Sequence, residues 1–203
     1  MAALSPGAAA GGLSDTLLER LRRAVSVPQS LHPDAPPGRR PASVLLLFDP
    51  SADTLPLLFM LRSSALRDHA GQIAFPGGSS EPSDRDVIAT ALREAREEVG
   101  VDAANVDVIG LLPPFMTAVS NRWLTPVVGL QRAPFVVQPD TFEVAEWFRI
   151  DLATLLNAPH ELRRMERNGV ARDVHFYEAD GRTIWGVTAA ILHELMRRIG
   201  RED

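Results

Sequence analysis

Leu61 to Val101 reads LRSSALRDHAGQIAFPGGSSEPSDRDVIATALREAREEVGV, and it divides at Gly77-Gly78 into a loop-rich half and a helical half. In the second half Ile88, Ala91, Leu92, Ala95 and Val99 keep the spacing of an apolar helix face. Ser83 offers an N-cap, with Pro82 before it and Asp86 three residues on, where a capping box would carry Glu or Gln. Gly100 stands where a left-handed C-cap is wanted. The stretch predicts a glycine turn and then an amphipathic helix of about four turns.

The polar face of that helix is costly. Glu94, Glu97 and Glu98 crowd one side, where like charges repel. They also lie toward the C-terminal end, where the helix dipole disfavours anions by roughly 0.3–1 kcal/mol each. Arg93, one turn before Glu97, and Arg96 offset part of this. A divalent cation would offset more, because hard ions such as Mg²⁺ prefer carboxylate oxygens. A merely solvated acidic face would explain an isolated Glu-Glu pair; the glycine turn and the spacing after it favour a metal.

Arg93-Glu94-Ala95-Arg96-Glu97-Glu98-Val99-Gly100, preceded by Gly78, resembles the Nudix box, G-x5-E-x7-R-E-U-x-E-E-x-G-U with U aliphatic. Gly78, Arg93, Glu94, Glu97, Glu98, Gly100 and Val101 match. The first acidic position is Asp84 rather than Glu, eight residues instead of seven separate it from Arg93, and Ala95 takes the first aliphatic place. The preceding run Arg62-Ser63-x3-Arg67-x3-Gly71-x3-Phe75-Pro76-Gly77-Gly78 is similar to the signature of the coenzyme A pyrophosphatase branch, which tolerates the longer spacing. The resemblance implies an α/β fold, a Nudix-type α/β/α sandwich around a mixed sheet. It also implies hydrolysis of a nucleoside-linked diphosphate with Mg²⁺ or Mn²⁺ as cofactor. By the same resemblance a carbonyl near Gly77 or Gly78 joins the metal shell.

Composition narrows the remaining classes. The 203 residues are 45% hydrophobic, which suits one domain with a real core; residues 1–12, mostly Ala and Gly, read as a disordered tail ahead of a single domain over 13–203. A net charge of −5 disfavours non-specific binding to nucleic acid or to an anionic membrane. Every basic residue is Arg, suited to bidentate phosphate recognition. With no Cys there is no disulfide framework, thiolate zinc site or cysteine nucleophile. No apolar run approaches the roughly 20 residues of a membrane span, and no signal peptide is apparent, so a cytoplasmic location is expected. There is no G-x-S-x-G elbow and no G-x-x-x-x-G-K-[ST] loop.

Along the chain, Ser14-Asp15-Thr16 opens a short helix through Leu17, Leu18, Leu21 and Val25, ended by Pro28, and a Pro-rich segment follows to Pro41. Strands are expected at 44–48, 55–61, 72–75, 106–112, 124–130, 135–138 and 143–150, the last with room for a bulge because Val144 and Trp147 break strict alternation. Residues 115–122 read as a loop. Asp151 caps a short helix, 174–177 and 183–185 form a hairpin across Ala179-Asp180-Gly181, and Thr188 opens a last amphipathic helix ending at Gly200.

The candidate chemistry follows. Glu94, Glu97 and Glu98, with Gly78, are the expected metal ligands. Arg93 is expected to orient a carboxylate rather than bind phosphate. Asp84 and Glu81 are outer ligands or simply solvated acids. The general base is open among Glu94, Glu97, Glu143 and Glu146. Arg62, Arg67 and His69 are candidates for substrate recognition, against the plainer reading of a charged surface loop. His160, His175 and His193 have no metal-ligand spacing and read as structural or exposed. Trp123, Trp147 and Trp185 read as packing residues, and Arg163, Arg164, Arg167 and Arg172 as a solvated, helix-like basic face. The function these expectations favour is cleavage of coenzyme A or its thioesters to adenosine 3′,5′-bisphosphate and 4′-phosphopantetheine. The alternatives are a Nudix diphosphatase for ADP-ribose or a dinucleotide, and a non-catalytic Nudix-like binding module; the small-molecule partner differs with each.

Overall fold

Val44 to Phe48 contains no polar residue that could face water, and the fold covers both of its faces. The computed structural model describes residues 12–26, 35–66, 68–117, 121–167 and 169–200. In chain order the first elements are α1 (Gly12–Ala24), β1 (Arg40–Phe48), β2 (Pro56–Arg62), β3 (Ile73–Ala74), β4 (Gly77–Ser79) and α2 (Val87–Val99). Next come β5 (Val106–Leu111), β6 (Phe115–Met116), β7 (Arg122–Gln131), β8 (Val144–Asp151) and α3 (Leu152–Asn157). The chain closes with β9 (His160–Arg167), β10 (Val170–Ala179), β11 (Arg182–Trp185) and α4 (Val187–Ile199).

The main sheet runs β3-β2-β1-β7-β5, with β4 also on β1, β6 on β7 and β8 on β2. It is mixed: β1 and β7 pair in parallel over nine residues, Arg40 with Arg122 through Phe48 with Leu130, and the other pairings are antiparallel. A parallel pair needs cover on both sides. Leu45 and Leu47 of β1, with Leu58 and Met60 of β2, pack with Val87, Ala91, Ala95 and Val99 of α2. The alternate residues Val44, Leu46, Phe48, Leu57 and Phe59 pack with Leu17 and Leu21 of α1 and Ile191, Leu192 and Leu195 of α4. This is the expected α/β/α sandwich, and a small sheet β11-β10-β9 sits beside it.

Several boundaries differ from the sequence reading for physical reasons. The N-cap of α2 is Asp86, not Ser83; its carboxylate accepts from Ala89 N at 2.7 Å. Gly100 does cap the other end in the left-handed region, at φ 73°. α1 begins at Gly12, so Ser14 lies inside it, while residues 1–11 and Pro28 fall outside the described residues. Residues 135–138 form no strand. Their neighbourhood serves the open carbonyls of α2 instead: Gln138 N donates to Val99 O at 3.1 Å and Asp140 N to Glu98 O at 2.9 Å. Phe115–Met116, within the expected loop, adds a two-residue strand to β7. The helix-like arginine face is a β-hairpin, in which cross-strand partners such as Arg164 and Asp173, paired at 3.2 Å, override helix propensity. The bulge expected near Val144 is present: Leu61 pairs with Glu146 but Arg62 with Val144.

Candidate active site

α2 carries its acids to the open side of β4. Glu98 is 3% exposed, and its carboxylate is held by two donors, Gly77 N at 2.7 Å on Oε2 and Arg62 Nη1 at 3.2 Å on Oε1. Arg62 also reaches Glu143 Oε2 at 3.9 Å. Glu94 lies beneath the turn, 3.1 Å from Arg93 Nη2. The turn tolerates this only because it is glycine: a Cβ on Gly78 would strike the Glu94 carboxylate, and one on Gly77 (φ 154°) would strike the Ser43 carbonyl and Val44.

Arg93 is the hub behind these acids. It forks onto Asp84 through Nε and Nη2, both at 3.0 Å, and donates to Ser79 O at 2.9 Å and to Glu97 Oε2 at 3.0 Å. Asp84 is neither a solvated acid nor free to ligate. Thr90 Oγ1 and Glu81 N complete its shell at 3.0 and 2.9 Å, and Arg93 holds its carboxyl below the usual range. The first acidic position of the motif therefore anchors the loop to the helix across the eight-residue gap. The charge crowding expected on α2 is correspondingly relieved from within, Glu94 and Glu97 by Arg93 and Glu98 by Arg62.

A cavity of about 340 Å³ opens over the turn, its wall part charged and part apolar. Glu94, Glu98, Gly78, Arg62 and His69 line it, as does Glu143 from the loop before β8. Glu97 does not; its side chain is 58% exposed, tied to Arg93 at the rim. Arg67 lies outside the described residues. Glu146 is gripped by Arg182 at 2.6 and 3.1 Å, away from the cavity, which removes it as a candidate base. Burial pushes the Glu98 carboxyl up to about 8; Gly77 N–H and Arg62 oppose the shift, while Glu94 and Glu143 add to it. Burial also raises Glu94, against Arg93. Burial thus weakens the ionised form of both acids, and a bound cation would favour it, taking the place of the proton on Glu98.

Sequence reasoning missed Arg122, which lines the same cavity and makes no side-chain hydrogen bond or ion pair with the described residues. Only the long-range pairing of β7 with β1 brings it there, so no local motif marks it. A second, more apolar cavity of about 690 Å³ shares His69, Gln72, Thr117, Val187 and Thr188 with the first. Met165, Val170 and Trp185 line it. Trp185 and Trp147, read from the sequence as packing residues, are 37% and 39% exposed, and Trp185 stacks on Phe176 with ring centroids 6.0 Å apart.

A NUDIX domain model matches residues 38–168. The chain belongs to the NUDIX family. A protein named uncharacterized Nudix hydrolase NudL from Pectobacterium atrosepticum is 41% identical over 177 residues, 86% of this chain and 90% of that one. A NudL from Photorhabdus laumondii is 40% identical over 144 residues, covering 70% and 76%. Among solved structures, the MutT protein of Methanosarcina mazei superposes with a TM-score of 0.50 at 19% identity, covering 80% of this chain and 94% of that one. That likeness supports the NUDIX fold alone. As a NUDIX hydrolase the chain acts on diphosphate bonds of nucleoside diphosphate derivatives. No helix among the described residues is long and apolar enough to cross a membrane.

Proposed function

We propose that this NUDIX hydrolase cleaves the diphosphate of coenzyme A or its thioesters, giving adenosine 3′,5′-bisphosphate and 4′-phosphopantetheine. The observation that carries the reading is a pair of adjacent cavities that share a wall at His69, Gln72, Thr117, Val187 and Thr188: one lined by the charged groups of Glu94, Glu98, Glu143, Arg62 and Arg122, the other more apolar, with Met165, Val170 and Trp185. A ligand with a diphosphate at one end of an extended arm that carries both amide and apolar groups, ending in a thiol or an acyl chain, matches the two. The Arg62-to-Gly78 signature supports the same branch.

Carboxylate oxygens are the donors a hard dication takes, and the turn is cut away to admit the Glu94 carboxylate, so the residues fit Mg²⁺ or Mn²⁺. Glu94 and Glu98 would hold it, with Glu97 at the rim and the Gly78 carbonyl as a further oxygen. When bound, such an ion polarises phosphoryl oxygens and eases deprotonation of water. The protein does the rest. Arg93 and Asp84 fix the turn against the helix, Arg62 orients Glu98, and Arg122 faces the space where phosphate charge would lie. Water oxygen attacks one phosphorus, the bridging P–O bond breaks, and the second phosphate leaves. Glu143, which lines the cavity and is in reach of Arg62, is positioned to accept the water proton.

The test is a panel of coenzyme A, an acyl-coenzyme A, ADP-ribose and a dinucleoside polyphosphate, each with Mg²⁺ and with Mn²⁺, products identified by mass. Preferred release of 4′-phosphopantetheine, or its acylated form, is expected. A preference for ADP-ribose or the dinucleotide would reject coenzyme A while keeping the diphosphatase; no turnover of any member would favour a binding module.

A further inference from the structure

His160, His175 and His193 are scattered in sequence, and the fold gathers them. The first two stand fifteen positions apart, yet the antiparallel register pairs His160 with Tyr177 and Leu162 with His175, which sets both imidazoles on one face of the β9–β10 hairpin. His193 joins them from α4. Ring centroids lie 4.6 Å apart for His160 and His193, 4.7 Å for His175 and His193, and 5.2 Å for His160 and His175. One nitrogen from each imidazole lies within 4.8 Å of the other two, and His160 Nε2 stands 2.9 Å from His175 Nδ1. All three are half-buried.

Two nitrogens bound to one tetrahedral Zn²⁺ at about 2.0–2.1 Å stand roughly 3.3 Å apart. The His160–His175 separation of 2.9 Å is close to that value and none of the others exceeds 4.8 Å, so small side-chain rotations would bring three ligands onto one ion. An all-imidazole donor set suits Zn²⁺, Co²⁺, Ni²⁺ or Cu²⁺ and is poor for Mg²⁺, which wants oxygen. The backbone around the three residues is secured from several sides: His160 and His175 sit within one ladder, and His193 lies mid-helix. The Tyr177 ring packs on His160 at 4.7 Å between centroids.

We propose that His160, His175 and His193 form a binding site for one divalent ion of the zinc class, three imidazoles with a fourth position left to water, which ties the β9–β10 hairpin to α4. The site is separate from the carboxylates over the glycine turn and distinguished from them by donor type. It also bears on the larger cavity, because His175 and the first turn of α4, Val187 and Thr188, line it. An ion at the triad would hold that wall in place.

Titration calorimetry of Zn²⁺ into the full chain, in excess Mg²⁺ to occupy the carboxylates, tests the proposal. Co²⁺ absorption and thermal midpoints provide two further readouts. One Zn²⁺ per chain is expected. Affinity should fall at least about a hundredfold in His175→Ala and His193→Ala but stay within about threefold in Glu98→Gln. The visible Co²⁺ spectrum of a tetrahedral site, and the Zn²⁺-dependent rise in midpoint, should vanish in the histidine variants only. His193→Gln provides the same comparison should either alanine variant misfold. Failure of the folded wild type to bind Zn²⁺ or Co²⁺ overturns the site. So does binding that survives the histidine changes or disappears in Glu98→Gln.

Discussion

Gly78 and Glu94 share one volume: a Cβ on the glycine would lie 2.5 Å from the glutamate Cδ and from both carboxylate oxygens. Gly78 is not among the residues with positive φ, so alanine strains no backbone there. The far end of Glu94 is what must yield, and it can swing away cheaply. Gly78→Ala is therefore expected to keep its thermal midpoint within a few degrees. It should lose about a hundredfold in kcat, the scale of an ångström's misplacement of a reacting group. Unchanged kcat in the folded variant would remove Glu94 from the chemistry.

Glu98→Gln separates charge from shape. The amide keeps an acceptor for only one of the two donors, Gly77 N–H and Arg62. It cannot supply the negative charge a cation needs. Turnover should drop by about two to three orders of magnitude, with an unchanged circular dichroism spectrum. Near-normal turnover in a folded variant would overturn the assignment.

Burial raises the folded Glu98 carboxyl from the ordinary value of 4.5 to about 8. Between those values the metal-free folded protein binds more protons than the unfolded chain, so stability falls as pH rises through the window. The contribution is fully present below about 4.5 and gone above about 8. Thermal midpoints of the metal-free protein should decline across that range from this group. Saturating Mg²⁺ should flatten the decline, and so should Glu98→Gln, which has no proton to lose. A slope unaffected by either would place the titration elsewhere.

The site was legible where function and local sequence coincide. Glu94 and Glu98 sit one turn apart on one helix, so their spacing puts them on one side, and the resemblance to the Nudix box implied that Gly78 lies with them. So was the two-faced burial of Val44 to Phe48, because an unbroken apolar run demands cover on both sides. What stayed hidden depends on distant pairing. Arg122 reaches the cavity through a parallel register with β1, and His160, His175 and His193 converge through a hairpin and a helix that local spacing does not link. Residues 160–167 have a helix-like composition, and only their partners in β10 make them a strand.

Arg93 is expected to tolerate no replacement by lysine, although the charge is kept. Its fork onto Asp84, with contacts to Ser79 O and Glu97, needs planar, divergent donors that an ammonium lacks. Arg93→Lys should cost about 2 kcal/mol in denaturant unfolding, the scale of a charged hydrogen bond lost in a half-dry site. Asp84→Asn should cost a similar amount, and the two together less than their sum, because they break the same fork. Strict additivity would show that the pair is not coupled.

Arg122 offers the reverse case, a side chain in the cavity with no partner among the described residues to lose. Arg122→Ala should leave the thermal midpoint and the Zn²⁺ response alone. If the guanidinium grips phosphate equally in ground and transition states, KM should rise about tenfold or more with kcat little changed. A fall confined to kcat would mean instead that the charge is felt only as the bridging bond breaks. No change in either constant would exclude Arg122 from substrate binding. Lysine at this position restores a point charge without the fork, so partial recovery of KM in Arg122→Lys would show that charge, more than bidentate geometry, is what the phosphate meets.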